Sequence, residues 1–304
     1  MAMPNFLIVG AAKAGTTSLH HYLKQHPDIF MPEEVKETFF FSGITRESFP
    51  GPGNNYYGYR AVSILEDYVK LFKKVQAQKA IGEACVAYLY FHHVTIPRII
   101  DALGKDVKII ISLRHPADRA FSNYLHHVRD GLDELPFAEA IKAEPWRKQN
   151  GWWWGFEYIA VGFYFNQVKA YFDAFSHKRV FIILYDDFAL SPAETMKAIF
   201  KFLDVDETFV PDMSSKHNVS GIPKNKFLQT FLKRPHPVKS VIRPFLPSKL
   251  RRRLVAQLRN HVSANLLRPS FPLETRRALI KTYREDIVKL QDLIGRDLSQ
   301  WLEE

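Results

Sequence analysis

The 304-residue sequence predicts an α/β fold: a three-layer, P-loop-like domain with a central parallel sheet flanked by helices, plus a mostly helical, basic C-terminal segment. Three observations carry this expectation. Short apolar runs alternate with helical patterns, the first run ends in a glycine-containing loop that opens a helix, and basic residues concentrate in one stretch. At 46% hydrophobic and 24% charged residues, the composition excludes a fibrous or wholly disordered chain. A single cysteine, Cys85, excludes a disulfide framework, cannot by itself build a zinc site, and is expected to act as a small buried hydrophobe.

In chain order, Phe6 to Val9 is too short for a helix and reads as a buried parallel strand. Gly10 to Gly15 forms the loop, and Thr16 to Leu23 has helical apolar spacing. Further strands are expected at Lys79 to Glu83, at Val107 to Leu113 with Ile109, Ile110 and Ile111 in succession, and at Arg179 to Leu184. Helical patterns lie between them at Val62 to Val75, Ile96 to Leu103, Asp118 to Val128 and Tyr158 to Phe172. The last stretch, Leu273 to Leu302, carries Leu279, Tyr283, Ile287, Leu290 and Ile294 on one stripe, with Gly295 placed to end the helix.

The region 211–272 differs in character. It is rich in proline, holds two short helical patterns (Lys226 to Leu232 and Leu250 to His261), and reads as a covering segment within one domain spanning 1–304. Eleven Lys or Arg residues and no acidic residue lie between Lys224 and Arg259, whereas the net charge of the whole chain is +10. The rest of the chain is therefore close to neutral. Such a segment is either a solvated face or a surface for an anionic partner, a membrane surface included. No apolar run approaches the roughly 20 residues that span a bilayer, and no basic leader precedes the first strand. The chain is expected to be cytoplasmic.

Gly10-x-x-x-x-Gly15 followed by Thr16-Thr17 stands where a strand meets a helix. There, N–H groups without helical partners and the helix dipole converge on an anion. A nucleoside-triphosphate loop requires lysine directly after its second glycine. Here that place is Thr16, and the lysine stands before the glycine, at Lys13; no strand ends in an aspartate suited to magnesium. The clearest strand ends instead in Leu113-Arg114-His115-Pro116, at the sheet's ligand-binding edge. Pro116 suits the first turn of the following helix, which carries Ser122. Arg114 and Ser122 form a second candidate phosphate site. Two phosphate sites on one sheet point to a nucleotide phosphorylated at both its 5′ and 3′ ends.

At this point the sequence resembles the PAPS-dependent sulfotransferases, in particular a bacterial branch similar to the heparan sulfate sulfotransferases. The matching stretches are Ala12-Lys13-Ala14-Gly15-Thr16-Thr17-Ser18-Leu19, Val35-Lys36-Glu37-Thr38-Phe39-Phe40, Ile81-Gly82-Glu83, Leu113-Arg114-His115-Pro116-Ala117-Asp118-Arg119-Ala120-Phe121-Ser122-Asn123-Tyr124, Leu184-Tyr185-Asp186-Asp187-Phe188 and Gly295-Arg296-Asp297-Leu298-Ser299-Gln300-Trp301-Leu302. The resemblance implies 3′-phosphoadenosine 5′-phosphosulfate (PAPS) as donor, 3′,5′-adenosine bisphosphate (PAP) as product, no metal requirement, and no nucleic-acid partner. It implies that Lys13 stabilises the leaving phosphate, while Ala14, Gly15, Thr16 and Thr17 hold the 5′-phosphate. Arg114 and Ser122 hold the 3′-phosphate, with Gly221 and Lys224 closing over it, and Glu37 is the general base. The implied acceptor is a hydroxyl or amine of a carbohydrate, with a lipid or small metabolite as the alternative.

Two departures stand out. The family's histidine two residues after the carboxylate is Phe39 here, and Ala84-Cys85-Val86 replaces a common lysine-containing triplet. Of the remaining residues, His20 or His21 is the reserve base, whereas His126 and His127 are expected to be packing or surface residues. Glu83 reads as a structural or acceptor-site carboxylate, and Arg119 as an internal ion-pair partner. Trp152-Trp153-Trp154 with Phe156 and Tyr158 either belongs to the core or stacks on an acceptor. The competing functional classes are a P-loop nucleotide kinase and a non-catalytic nucleic-acid or membrane binder using the basic segment.

Overall fold

The computed structural model describes residues 2–33, 35–214, 222–223, 266–267 and 269–304. Gly221, Lys224, the basic stretch 224–259 and the two helical patterns within it lie outside the described residues. The central sheet has five parallel strands, β1 (Phe6–Gly10), β2 (Ile29–Phe30), β3 (Ala80–Ala84), β4 (Lys108–Leu113) and β5 (Val180–Leu184), in the order β2-β3-β1-β4-β5. The longer helices are α1 (Thr16–Leu23), α2 (His92–Leu103), α3 (Pro116–Asp130), α4 (Phe165–Phe175), α5 (Pro192–Phe202) and α6 (Leu273–Ile294).

Because side chains alternate across a strand, the continuous apolar runs supply two cores at once. Leu7, Val9, Ile109, Ile111 and Leu113 face a cluster shared with α2, α3, α4 and α6. Phe6, Ile8, Ile110 and Ile183 face the opposite cluster, with Leu19 and Leu23 of α1 and Ile199 and Phe200 of α5. The expected strands appear within a residue or so of their predicted bounds. In the central sheet β2, two residues long, carries too little pattern to be read from sequence.

Two predicted helices are shorter or displaced, for identifiable reasons. From the span Val62 to Val75 only Leu65–Lys70 is α-helical. The Val62 N–H is diverted to the Thr38 carbonyl at 2.9 Å, and the C-terminal end tightens into i→i−3 bonds, such as Phe72 N–H to Val69 O at 3.0 Å. α4 begins at Phe165, not at Tyr158, because carboxylates from elsewhere intercept the backbone. Glu144 accepts from Ile159 and Ala160 N–H at 2.6 and 2.9 Å, and Asp286 of α6 accepts from Tyr164 N–H at 2.8 Å. The final helix stops at Ile294, with Gly295 in the left-handed conformation after it and a single 3-10 turn at Ser299–Leu302.

The C-terminal turn hooks back beside the strand ends. Arg296 pairs with Asp187 at 2.6 Å, and the Trp301 indole N–H donates to Asp186 at 3.3 Å, just after β5. His115, whose Nδ1 caps α3 by accepting from Ala117 N–H at 3.2 Å, lies against the Trp301 ring. A short antiparallel pair, Ile222–Pro223 with Leu266–Leu267, brings together the two ends of the region between them.

Close strand packing at Gly82 gives a test. A Cβ there would stand 2.1 Å from the fully buried Phe6 ring. Gly82→Ala is expected to lower stability by about 1–3 kcal/mol through overpacking, measured by denaturant titration.

Candidate active site

The carboxyl edge of the sheet opens into a cavity of roughly 740 Å³, lined in part by Lys13, Gly15, Thr16, Thr17, Glu37, Arg114 and Ser122. Strand order makes this convergence possible, since β1 and β4 are neighbours and the loop leaving β1 lies against the end of β4. The loop is pinned there. Ala11 N–H donates to Ser112 O at 2.6 Å, the Ser112 hydroxyl donates to Ala14 O at 2.6 Å, and Arg114 donates to Lys13 O at 3.3 Å. Gly15 precedes α1 with φ 85, a left-handed conformation that L side chains adopt at a cost, and a Cβ there would also press on Tyr185 and Phe188. The first N–H groups of α1, without partners inside the helix, thus open toward the cavity where an anion is favoured.

Lys13 is the electrostatic centre of this edge. Its ammonium lies 2.8 Å from His126 Nδ1, and His126 Nε2 lies 3.0 Å from Asp130, which also pairs with Arg129 at 3.0 Å. Burial lowers the Lys13 pKa to about 7, with Arg129, Arg114 and Lys36 adding to the effect and Asp130 opposing it. Burial and the Lys13 charge push His126 well below its ordinary value, so it is a neutral ring. The consistent tautomer donates from Nε2 to Asp130 and accepts from Lys13 at Nδ1. Burial opposes the charge on Asp130, yet His126 and Arg129 hold its carboxyl below the usual range. His126 is therefore a lining residue joined to Lys13, and not the packing or surface residue expected. Its place on α3 one turn after Ser122 is the signal that could have found it.

Glu37 also lines the cavity, on the segment between β2 and β3. One carboxylate oxygen pairs with Lys36 and the other accepts from Val86 N–H at 2.8 Å, while Lys36 also reaches the Thr16 hydroxyl at 3.5 Å. Lys36 thus bridges the candidate base and the candidate phosphate loop. Next to it, Thr38 is clamped by a buried carboxylate. Glu83 accepts the hydroxyls of Thr38, Tyr68 and Tyr88, the last at 2.7 Å. Burial raises the Glu83 pKa to about 7 against the pull of those three hydroxyls, with the Glu37 charge adding to the rise. Glu83 is 1% exposed and does not line the cavity, so its role is to hold the Glu37 segment on the end of β3.

Other expectations separate cleanly. Trp153 and Trp154 are both core and cavity wall, at 3% and 4% exposure. His20, buried and with its pKa lowered to about 3 mainly by burial, does not line the cavity, and neither does His21, so the reserve base is not placed at the site. Cys85 is buried, and burial pushes its thiol well up. Arg119 is not the ion-pair partner expected. It is fully buried and donates to Tyr158 O, with no carboxylate in ion-pair reach among the described residues.

Two outcomes follow from this geometry. An anion bound beside Lys13 favours its charged form, so above pH 7 binding takes up a proton, whereas below pH 7 the free amine is already charged. Affinity for PAP is expected to fall between pH 7 and 9 by up to about one decade per unit, and Lys13→Met to remove that slope in calorimetric titrations. Thr38→Val is expected to cost about 1–3 kcal/mol by removing one of the three hydroxyls that Glu83 accepts, and Thr38→Ser much less, measured by urea unfolding.

Three kinds of similarity bear on this edge. The family model described as "Sulfotransferase domain" matches residues 3–244. A solved sulfotransferase from Alicyclobacillus acidocaldarius is 34% identical, covers 100% of both chains and superposes with a TM-score of 0.77. The bifunctional heparan sulfate N-deacetylase/N-sulfotransferase 4 of Mus musculus is 28% identical over 218 residues, 67% of this chain and 22% of its own length. The membrane-associated sulfotransferase kil1 of Dictyostelium discoideum is 35% identical over 127 residues, 41% of this chain and 23% of its own. The chain spans less than a quarter of the length of these two curated relatives. No helix among the described residues is long and apolar enough to cross a membrane. With the family model matching most of its length, the chain belongs to the sulfotransferase domain family.

Proposed function

We propose that the enzyme transfers the sulfuryl group of PAPS to an acceptor hydroxyl or amine, with Glu37 as general base. The observation that carries this reading is that Lys13, Arg114 and Glu37 line one cavity, two cations and a carboxylate facing the same space. Thr16 and Thr17, with the backbone at Ala14 and Gly15, hold the 5′-phosphate. Arg114 and Ser122 hold the 3′-phosphate, and Gly221 and Lys224 add to that grip. Arg114 also lies 4.8 Å from the centre of the Tyr185 ring, which orients its guanidinium.

In the transfer, the acceptor oxygen or nitrogen bonds to sulfur as the bond from sulfur to the 5′-phosphate oxygen breaks. The acceptor's proton passes to Glu37, and the leaving phosphate keeps the electron pair. Lys13, steadied by neutral His126, stabilises the charge that builds on that oxygen. Lys36 sits between Glu37 and Thr16, and the Glu37 carboxylate takes the proton on a lone pair that Lys36 and Val86 N–H leave open. The acceptor is a carbohydrate by the analogy of the heparan sulfate relatives, with a lipid or small metabolite as the alternative.

PAP is expected to raise the melting temperature, and Glu37→Gln to cut transfer by about 10²–10⁴ while PAP still stabilises the fold. Transfer is read with labelled PAPS over an acceptor screen, as a mass gain of one SO₃. Tight ATP–magnesium binding with PAP ignored would favour a nucleotide kinase instead.

A further inference from the structure

Beside Glu37 the cavity wall changes character. It is formed by Phe39, Tyr56, Tyr57, Val86 and Trp153. Tyr57 stacks on Trp153 with ring centres 5.6 Å apart and planes 22° from parallel, and Phe39 meets the other side of Trp153 edge-on at 5.4 Å. The wall is held from behind, where Trp153 N–H donates to Pro52 O at 3.0 Å and Gly51 N–H to Gly151 O at 2.9 Å. Tyr56, more than a third exposed, extends the wall outward.

Phe39 is the telling member. Its backbone φ is 60, a left-handed conformation that is rare and strained for a bulky residue. Its carbonyl is held by the Ser42 hydroxyl at 2.8 Å. Strain of this kind persists only where the surroundings enforce it, and here it turns an aromatic ring onto Trp153 at the position two residues beyond the candidate base.

The charges on this side are already used. Lys36 pairs with Glu37, Arg129 pairs with Asp130, and Lys13 is held by His126. Among the described lining residues on this side, each cation already has a partner, so an anionic substituent would have to displace one. A charge brought into such a site without a partner is costly.

From the strained Phe39, the stacked Tyr57 and Trp153, and the committed cations, we infer that the acceptor unit receiving the sulfuryl group is an uncharged ring, a neutral sugar or an aryl alcohol, laid against this wall. The inference rests on the sulfotransferase reading above and concerns only the reacting unit, leaving open what is attached to it.

Matched pairs differing by one carboxylate test it on the full chain: 2-naphthol against 6-hydroxy-2-naphthoate, and 2-naphthyl β-glucoside against 2-naphthyl β-glucuronide. The first pair reports an aryl acceptor and the second a sugar. With PAPS, the neutral member of at least one pair is expected to react with kcat/KM at least about tenfold above its charged partner. Tyr57→Ala and Tyr57→Leu are expected to raise KM for that member about three- to tenfold, with the PAP-induced melting shift unchanged. The inference is overturned if the charged members react as well as the neutral ones. It is also overturned if the Tyr57 variants leave KM unaltered, or if an enzyme that binds PAP sulfates none of the four. Absence of any PAP shift would instead overturn the donor assignment.

Discussion

The hydroxyl of Ser112 reaching the carbonyl of Ala14 is a small contact with large consequences. It is possible only because β1 and β4 are adjacent in the sheet, so that the loop leaving one strand rests on the last residues of the other. Arg114, two residues further on, then reaches the Lys13 carbonyl, and the two candidate phosphate sites become one surface. A parallel sheet sends all its strand ends to one edge, and this contact turns a shared edge into a fixed distance between anion-binding groups. Lys13, His126, Asp130 and Arg129 are arranged around that fixed point.

The chemistry of the edge comes from how little charge is left loose. Lys13 sits among other cations in a partly dry site, which leaves its amine near the neutral point at physiological pH. A ligand carrying negative charge supplies what the site lacks, so binding and protonation are linked. Glu37 is handled the opposite way, with one oxygen engaged by Lys36 and the other by Val86 N–H. Each reactive group is thus held by a partner inside the site.

Most of the sheet was legible because buried parallel strands announce themselves as unbroken apolar runs, as Ile109 to Ile111 do. The loop around Lys13 and the strand-end Arg114 were legible because their spacing reflects local backbone geometry. What escaped were contacts made across the chain. Asp286 of α6 sets where α4 begins, at a sequence distance of 122 residues from Tyr164. No periodicity near Tyr158 could report a cap that arrives from another helix. His126 looked like one more polar residue on α3 until α3 was laid beside the loop, and the hydroxyl clamp on Glu83 draws on three separate segments. Arg119 shows the reverse error, since a buried arginine invites an acidic partner and here settles on a backbone carbonyl.

The hook formed by Arg296 and Trp301 has a bearing on biosynthesis. It fastens onto Asp186 and Asp187, which follow the strand next to Arg114, so these late residues brace an edge begun by the earliest ones. On the ribosome β1 and its loop are made nearly three hundred residues ahead of that brace. Nascent chains stalled short of Trp301 would thus hold a sheet whose ligand edge still lacks the contacts to Asp186 and Asp187.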